Sequence, residues 1–108
     1  MKSDALPFSY VDGPKKDHGV TLYALSTCAF CRRGVQFLRT HGVAFRYLYV
    51  DKLPQETKQA LREDLRRRFS AQLIYPYLVV DQRSAVGGFY EDRWRSLLEL
   101  SQGGGTGR

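Results

Sequence analysis

The sequence predicts a single α/β domain in the order strand–helix–strand–helix–strand–strand–helix, a central mixed four-stranded sheet with helices on both faces. Three observations support this. Two β-branched and aromatic runs, Val20–Leu25 and Val43–Val50, are each followed by a segment with apolar residues at helical spacing, the pattern of a βαβ unit. A third run, Ile74–Val80, is separated from Ala85-Val86 only by the turn residues Asp81-Gln82-Arg83-Ser84, which makes a hairpin. A last helical pattern, from about Glu91 through Trp94, Leu97, Leu98 and Leu100, closes the domain.

Residues 1–19 contain Pro7, Gly13-Pro14 and the polar run Lys15-Lys16-Asp17-His18-Gly19, so they are expected to form a loosely ordered N-terminal extension with His18 exposed. Leu6, Phe8 and Tyr10 alternate with smaller or polar residues; they either add a short edge strand, cover an apolar patch or belong to an unstructured tail. The domain proper spans residues 20–102, and 103–108, rich in glycine, form a flexible tail. The first helix has two rows at helical period, Cys31, Val35, Leu38 and Phe30, Gly34, Phe37, His41, with Thr27 as candidate cap, Gly42 as terminator and His41 suited to the negative helix end. A helix between the first two strands implies that they pair in parallel. Pro54 sits where the second helix begins, Thr57, Leu61, Leu65 and Phe69 form its buried stripe, and Asp51 and Glu56 lie near its positive end.

The only two cysteines, Cys28 and Cys31, stand three residues apart at the junction of the first strand and first helix. The first backbone N–H groups of a helix lack intrahelical partners and carry partial positive charge, so a thiolate placed there is stabilised relative to a thiol. Cys28 is so placed and is the expected nucleophile. Cys31, one turn further on the same face, is the expected resolving thiol, able to attack a mixed disulfide at Cys28. Between them Phe30 shields the pair or offers an apolar contact. A closed zinc site needs four ligands, and the chain has no other cysteine; His41 lies about 15 Å along the helix from Cys31. No metal is expected.

At 108 residues, with 43% hydrophobic and 26% charged residues, the chain has an ordinary globular composition. It has no run of spanning length and no apolar core of a signal peptide near its start, so a cytoplasmic, reducing setting is expected, in which a CxxC pair cycles between dithiol and disulfide. The net charge of +6 does not by itself indicate nucleic acid. Lys58, Arg62 and Arg66 fall opposite Leu61 and Leu65 as on a solvated helix face, and no nucleic-acid motif accompanies them. Steering toward an acidic protein partner fits the charge better.

With a CxxC at the first helix start, a proline opening the third strand and Gly-Gly before the last helix, the chain resembles the glutaredoxins and the wider thioredoxin-like superfamily over about residues 20–100. The resemblance implies a thioredoxin-like (glutaredoxin) fold and thiol–disulfide oxidoreductase activity on disulfide-containing proteins, with Cys28 and Cys31 catalytic. It also implies that Pro76 is cis and faces the cysteines, that Tyr75 offers its backbone N–H and C=O to an extended substrate, and that Gly87, Gly88 and Phe89 join Phe30 in substrate binding. The chain departs from the glutathione-binding pattern of the family. Leu25 stands where many members have lysine, Ile74-Tyr75-Pro76 replaces Thr-Val-Pro, and Phe89-Tyr90 replaces a small residue followed by Asp.

Gly88-Phe89-Tyr90-Glu91-Asp92 is instead similar to the Gly-Phe-x-x-Asp of redoxins that reduce ribonucleotide reductase and draw electrons from thioredoxin reductase. Glutathione is therefore expected to bind weakly, a thioredoxin-reductase-type reductant to be preferred, and no cofactor to be held tightly. The expected protein is a monomer with neither nucleic-acid nor membrane partners. The alternatives are a glutathione-dependent carrier of a [2Fe–2S] cluster bridging two chains and a binding module whose cysteines no longer turn over.

Overall fold

The computed structural model describes residues 6–100; the tail expected at 103–108 lies outside them. Five strands, β1 (Ser9–Val11), β2 (Val20–Ala24), β3 (Phe45–Tyr49), β4 (Tyr77–Val80) and β5 (Ser84–Gly87), form one sheet in the order β1-β3-β2-β4-β5. β2 and β3 are parallel, with Leu22 opposite Tyr47, and the other neighbours are antiparallel. Three α-helices, α1 (Ala29–Thr40), α2 (Gln55–Arg68) and α3 (Glu91–Leu98), cover the two faces, and a 3₁₀ turn at Val50–Lys52 leads from β3 toward α2.

The central strands β2 and β4 are buried along their whole length, so each contributes to two cores. On the α1 and α3 face, Leu22, Leu78, Val80 and Val86 pack with Phe37, Leu38, Trp94 and Leu98. On the α2 face, Tyr23, Leu48, Tyr77 and Val79 pack with Leu61, Leu65 and Phe69, the expected stripe. At Gly34 α1 packs against the Trp94 ring of α3: a Cβ there would lie 2.8 Å from Trp94 Cη2, so the helix needs glycine at that point.

The sheet has one strand more than expected, and the extra one comes from the N-terminal extension. β1 pairs with β3, Tyr10 opposite Arg46. Leu6 and Phe8 pack against the α2-side core, Phe8 meets Tyr23 edge-on at 6.0 Å, and the Arg46 guanidinium lies 4.0 Å from its ring centre. The edge-strand and patch-covering alternatives are thus both realised. Period two also puts Tyr10 on this face, but it is 75% exposed and lines an open groove at that end of the sheet.

His18 is likewise not the exposed residue expected. Its Nδ1 lies 2.7 Å from Asp81 Oδ2 and its Nε2 2.9 Å from Glu99 Oε1. Carboxylate oxygens only accept, so both ring nitrogens donate and the ring is the imidazolium. Asp81 also accepts from the Gly19 amide at 2.7 Å. Asp81 and Gln82 both have positive φ, 56° and 55°, the geometry of a type I′ hairpin turn, and the first of them is tied to the chain entering β2.

The third strand is shorter than expected. It starts at Tyr77, and Ile74–Pro76 form an irregular lead-in. The segment before it runs along β5 so closely that a Cβ on Gly87 would lie 2.0 Å from Gln72 O.

Asp81 and Glu99 raise the pKa of His18, and the His18 hydrogen bond holds Asp81 below the usual carboxylate range. A raised histidine contributes stability that is fully present below its unfolded value, about 6.5, and is lost as pH rises through the folded value. The depressed Asp81 contributes stability present above about 3.9 and lost as pH falls through its folded value. Urea unfolding should therefore separate wild type from His18→Gln most clearly near about pH 5.5, with the gap closing in alkali. A gap that widens as pH rises would contradict the clasp.

Candidate active site

β2 ends at Ala24, and the loop that follows delivers Cys28 to the start of α1. Cys28, with φ −95° and ψ 122°, is the N-cap of that helix: its Sγ accepts the Cys31 amide N–H at 3.2 Å. The cap expected at Thr27 is one residue further on, and a sulfur rather than a hydroxyl performs it. Cys28 is partly exposed. Cys31 is 1% exposed, and its Sγ accepts the Leu25 amide N–H at 3.4 Å. Burial first, then the hydrogen bond with Cys28, push the Cys31 thiol up to about 12. The two sulfurs thus have unequal surroundings one helical turn apart.

The loop carrying Cys28 is anchored by a residue assigned a different role from sequence. Asp51, expected as a dipole partner of α2, sits in the 3₁₀ turn after β3 and accepts from Ser26 twice, from the amide at 2.9 Å and the hydroxyl at 2.5 Å. Those bonds, the hydroxyl's first, hold its carboxyl below the usual range. Because β2 and β3 are parallel neighbours, both C-terminal ends lie together, and a carboxylate after one strand can brace the loop after the other.

The third component is the lead-in to β4. The Tyr75–Pro76 peptide is cis. Pro76 Cγ is 3.5 Å from where a Gly34 Cβ would stand, so the proline lies on α1 beside the turn that holds Cys31. Its carbonyl accepts the Gly88 amide at 2.9 Å, while the Gly88 carbonyl accepts Trp94 Nε1 at 3.1 Å. Gly88 has φ +101°, which requires glycine, and it links the proline loop to α3. Tyr75 packs against the α2-side core with its hydroxyl buried and unpaired; burial raises its pKa, and the cations Arg62 and Arg66 act in the opposite direction.

The remaining expected site residues divide by exposure. Phe30, next to the pair, is 56% exposed with the Arg33 guanidinium 5.3 Å from its ring centre. Phe89 turns inward, its ring 5.7 Å from Phe37 and 4.9 Å from Trp94, and the exposed ring of this turn is Tyr90. His41 caps the other end of α1. Nδ1–H donates to Phe37 O at 2.9 Å, at the negative helix end for which the residue is suited, and Nε2 lies 3.3 Å from Arg95 Nη1, which bridges to α3. Among the described residues, the group of three close potential metal ligands is Asp17, His18 and Glu99, at the opposite end of β2 from the cysteines.

No helix among the described residues is long and apolar enough to cross a membrane. The glutaredoxin family model matches residues 20–84. Among solved structures, the glutaredoxin from Methanosarcina mazei Go1 is similar over 86% of this chain and 88% of its own, with 30% identity and a TM-score of 0.75. The methanoredoxin of Methanosarcina acetivorans is similar over 79% and 88%, with 28% identity and a TM-score of 0.70. The glutaredoxin from Archaeoglobus fulgidus is similar over 76% and 87%, with 30% identity and a TM-score of 0.65. No curated protein sequence matches. The five-stranded sheet is accordingly a thioredoxin-like one with an added edge strand.

The unequal burial of the two sulfurs has a direct chemical consequence. Brief treatment of the reduced protein with iodoacetamide at neutral pH should label Cys28 at least about tenfold faster than Cys31, whose thiolate is scarce and shielded. Peptide mass mapping reads the ratio, and preferential labelling of Cys31 would reverse the roles assigned to the pair.

Proposed function

The chain belongs to the glutaredoxin family, and on that basis we propose that it reduces protein disulfides by dithiol exchange through Cys28 and Cys31. The observation that carries this reading is the asymmetry of the pair: a partly exposed sulfur at a helix start, backed one turn later by a buried one. The Cys28 thiolate attacks one sulfur of the partner's disulfide; a new S–S bond joins Cys28 to that sulfur, and the other leaves as a thiolate that takes a proton. Cys31 then loses its proton and attacks Cys28 Sγ, which forms the Cys28–Cys31 disulfide and expels the partner's second thiol. Two electrons have passed to the partner. Its high pKa makes Cys31 a poor nucleophile until deprotonated, which keeps resolution behind the first attack.

Tyr75 and Pro76 supply the platform beside the pair in this reading, with Gly87 and Gly88 holding it. Gly88 binds the Pro76 carbonyl, and Gly87 admits the Gln72–Ile74 segment. The extended substrate runs along the Tyr75 backbone. The working compartment is a reducing one, where such a pair cycles.

The reductant follows from which charges stand near the pair. Leu25 is half-buried in the α2-side core and offers no cation, and Tyr90 offers no carboxylate. Arg68 cannot compensate. It pairs with Asp64 at 3.1 Å and hydrogen-bonds Gln82 in the β4–β5 turn, the end of the sheet opposite Pro76. Glu91 is paired with Arg95 at 3.5 Å. Glutathione thus meets neither the lysine nor the Asp that many family members offer it at these two positions, and a protein reductase of the thioredoxin-reductase type is the proposed electron source. The inward Phe89 and the exposed Tyr90 and Asp92 belong to the stretch that resembles the redoxins serving ribonucleotide reductase.

Each lost charge-assisted hydrogen bond is worth about 1.5–3 kcal/mol, or one to two orders of magnitude in affinity. Turnover of a protein disulfide should therefore run at least about tenfold faster with NADPH and thioredoxin reductase than with glutathione, glutathione reductase and NADPH. It should vanish in Cys28→Ser. A faster glutathione-driven rate would overturn the proposed reductant, and full activity in Cys28→Ser would overturn the function.

A further inference from the structure

The surface around Cys28 has a charge and shape that the two thiols do not require. α1 carries Arg32, Arg33 and Arg39 and no acidic residue. Two aromatic rings near the pair are largely exposed, Phe30 by 56% and Tyr90 by 53%, and Ile74 joins them at 42%. Each ring carries an arginine: Arg33 lies 5.3 Å from the Phe30 centroid and Arg93 lies 5.6 Å from that of Tyr90. A guanidinium laid over a ring is fixed in orientation and keeps its N–H edge free for a planar carboxylate.

Both arginine-capped rings adjoin the site. Phe30 is two residues beyond Cys28 on the first turn of α1. The Tyr90 ring lies against Gly88, 2.8 Å from where a Cβ would stand, and the Gly88 amide is bound to Pro76. An open groove of about 510 Å³ runs from Arg33 along α1 to Thr40 and His41 and is bounded by Phe37, Phe89 and Glu91, while Tyr90 and Arg93 border a second groove with Ile74 and Gly87. Of the nearby carboxylates, Glu91 is paired with Arg95, while Asp51, kept anionic by its Ser26 bonds, and Asp92 stand against the arginines.

We propose that Phe30–Arg33 and Tyr90–Arg93 form a docking surface for a protein whose disulfide sits in an acidic segment, with an apolar side chain between the carboxylates. This deepens the oxidoreductase reading and rests on it. The exposed rings are covered by the partner's apolar residue, and its acidic residues meet the Arg33 and Arg93 guanidinium edges. The positive rim also draws an acidic partner in at a rate that salt reduces. A lysine-flanked disulfide meets like charge on the same rim.

Two synthetic peptides with the same internal disulfide and the same central leucine test this, one flanked by glutamates and the other by lysines. Their ratio of kcat/KM should favour the acidic peptide by about tenfold at low salt and shrink toward unity at about 0.5 M NaCl. In Arg33→Glu/Arg93→Glu protein the ratio should fall below one; because it is measured within one variant, a general loss of activity cannot imitate the change. Fluorescence anisotropy of the labelled peptides on Cys28→Ser/Cys31→Ser protein should show the same order of binding without turnover. Equal ratios, or a preference that survives the double charge reversal, overturn the docking surface. Failure of the wild type to reduce even a small neutral disulfide overturns the oxidoreductase reading instead, and the anisotropy then still decides the docking surface.

Discussion

The sulfur of Cys28 accepts the amide N–H of Cys31 at 3.2 Å, so the first turn of α1 is capped by the group assigned the attack. This one bond couples fold and chemistry. A helix start needs an acceptor for its free N–H groups, and here that acceptor is the sulfur of Cys28. It also orients Cys28 relative to Cys31, because donor and resolving sulfur belong to the same residue. The other elements of the site serve to keep that junction in place: Asp51 braces Ser26, the Leu25 amide faces Cys31 Sγ, and Pro76 rests on α1 at Gly34.

The scaffold is arranged so that these braces meet. Parallel pairing of β2 with β3 puts the turn holding Asp51 beside the loop holding Cys28. Antiparallel pairing of β2 with β4, Tyr23 opposite Tyr77, brings Pro76 to the same end. The hairpin then returns Gly87 and Gly88 there, and Trp94 ties Gly88 to α3. At the opposite end His18 joins the N-terminal extension, the β4–β5 turn and the residue after α3. One end of the sheet thus carries the cysteine pair and the other ties the N-terminal extension to the hairpin turn and the end of α3.

Most of this order was legible because it is local. Period-two and helical patterns identified four strands and three helices, and the stripe of Leu61, Leu65 and Phe69 is buried as its spacing required. Partnerships between distant residues were not legible. Asp51 and Ser26 are 25 residues apart, and His18 and Glu99 are 81 apart, so no window of sequence shows them. β1 has only three residues, too few for alternation to separate an edge strand from a tail; its register comes from β3. Thr27 had the usual capping side chain, but Cys28 occupies the cap. Phe89 and Tyr90 could not be told apart by hydropathy, and it is the turn at Gly88 that sends one ring inward and leaves the other out. The resemblance placed Pro76 next to the pair, which composition and spacing alone did not do.

The central claim is that Cys28 attacks and Cys31 resolves. Single-turnover mixing with a protein disulfide, quenched in acid and read by intact mass and peptide mapping, tests it directly. The account predicts a mixed disulfide at Cys28 that persists in Cys31→Ser and, in the wild type, decays to a Cys28–Cys31 disulfide with release of the reduced partner. An adduct forming at Cys31 in Cys28→Ser as fast as at Cys28 in Cys31→Ser would contradict it.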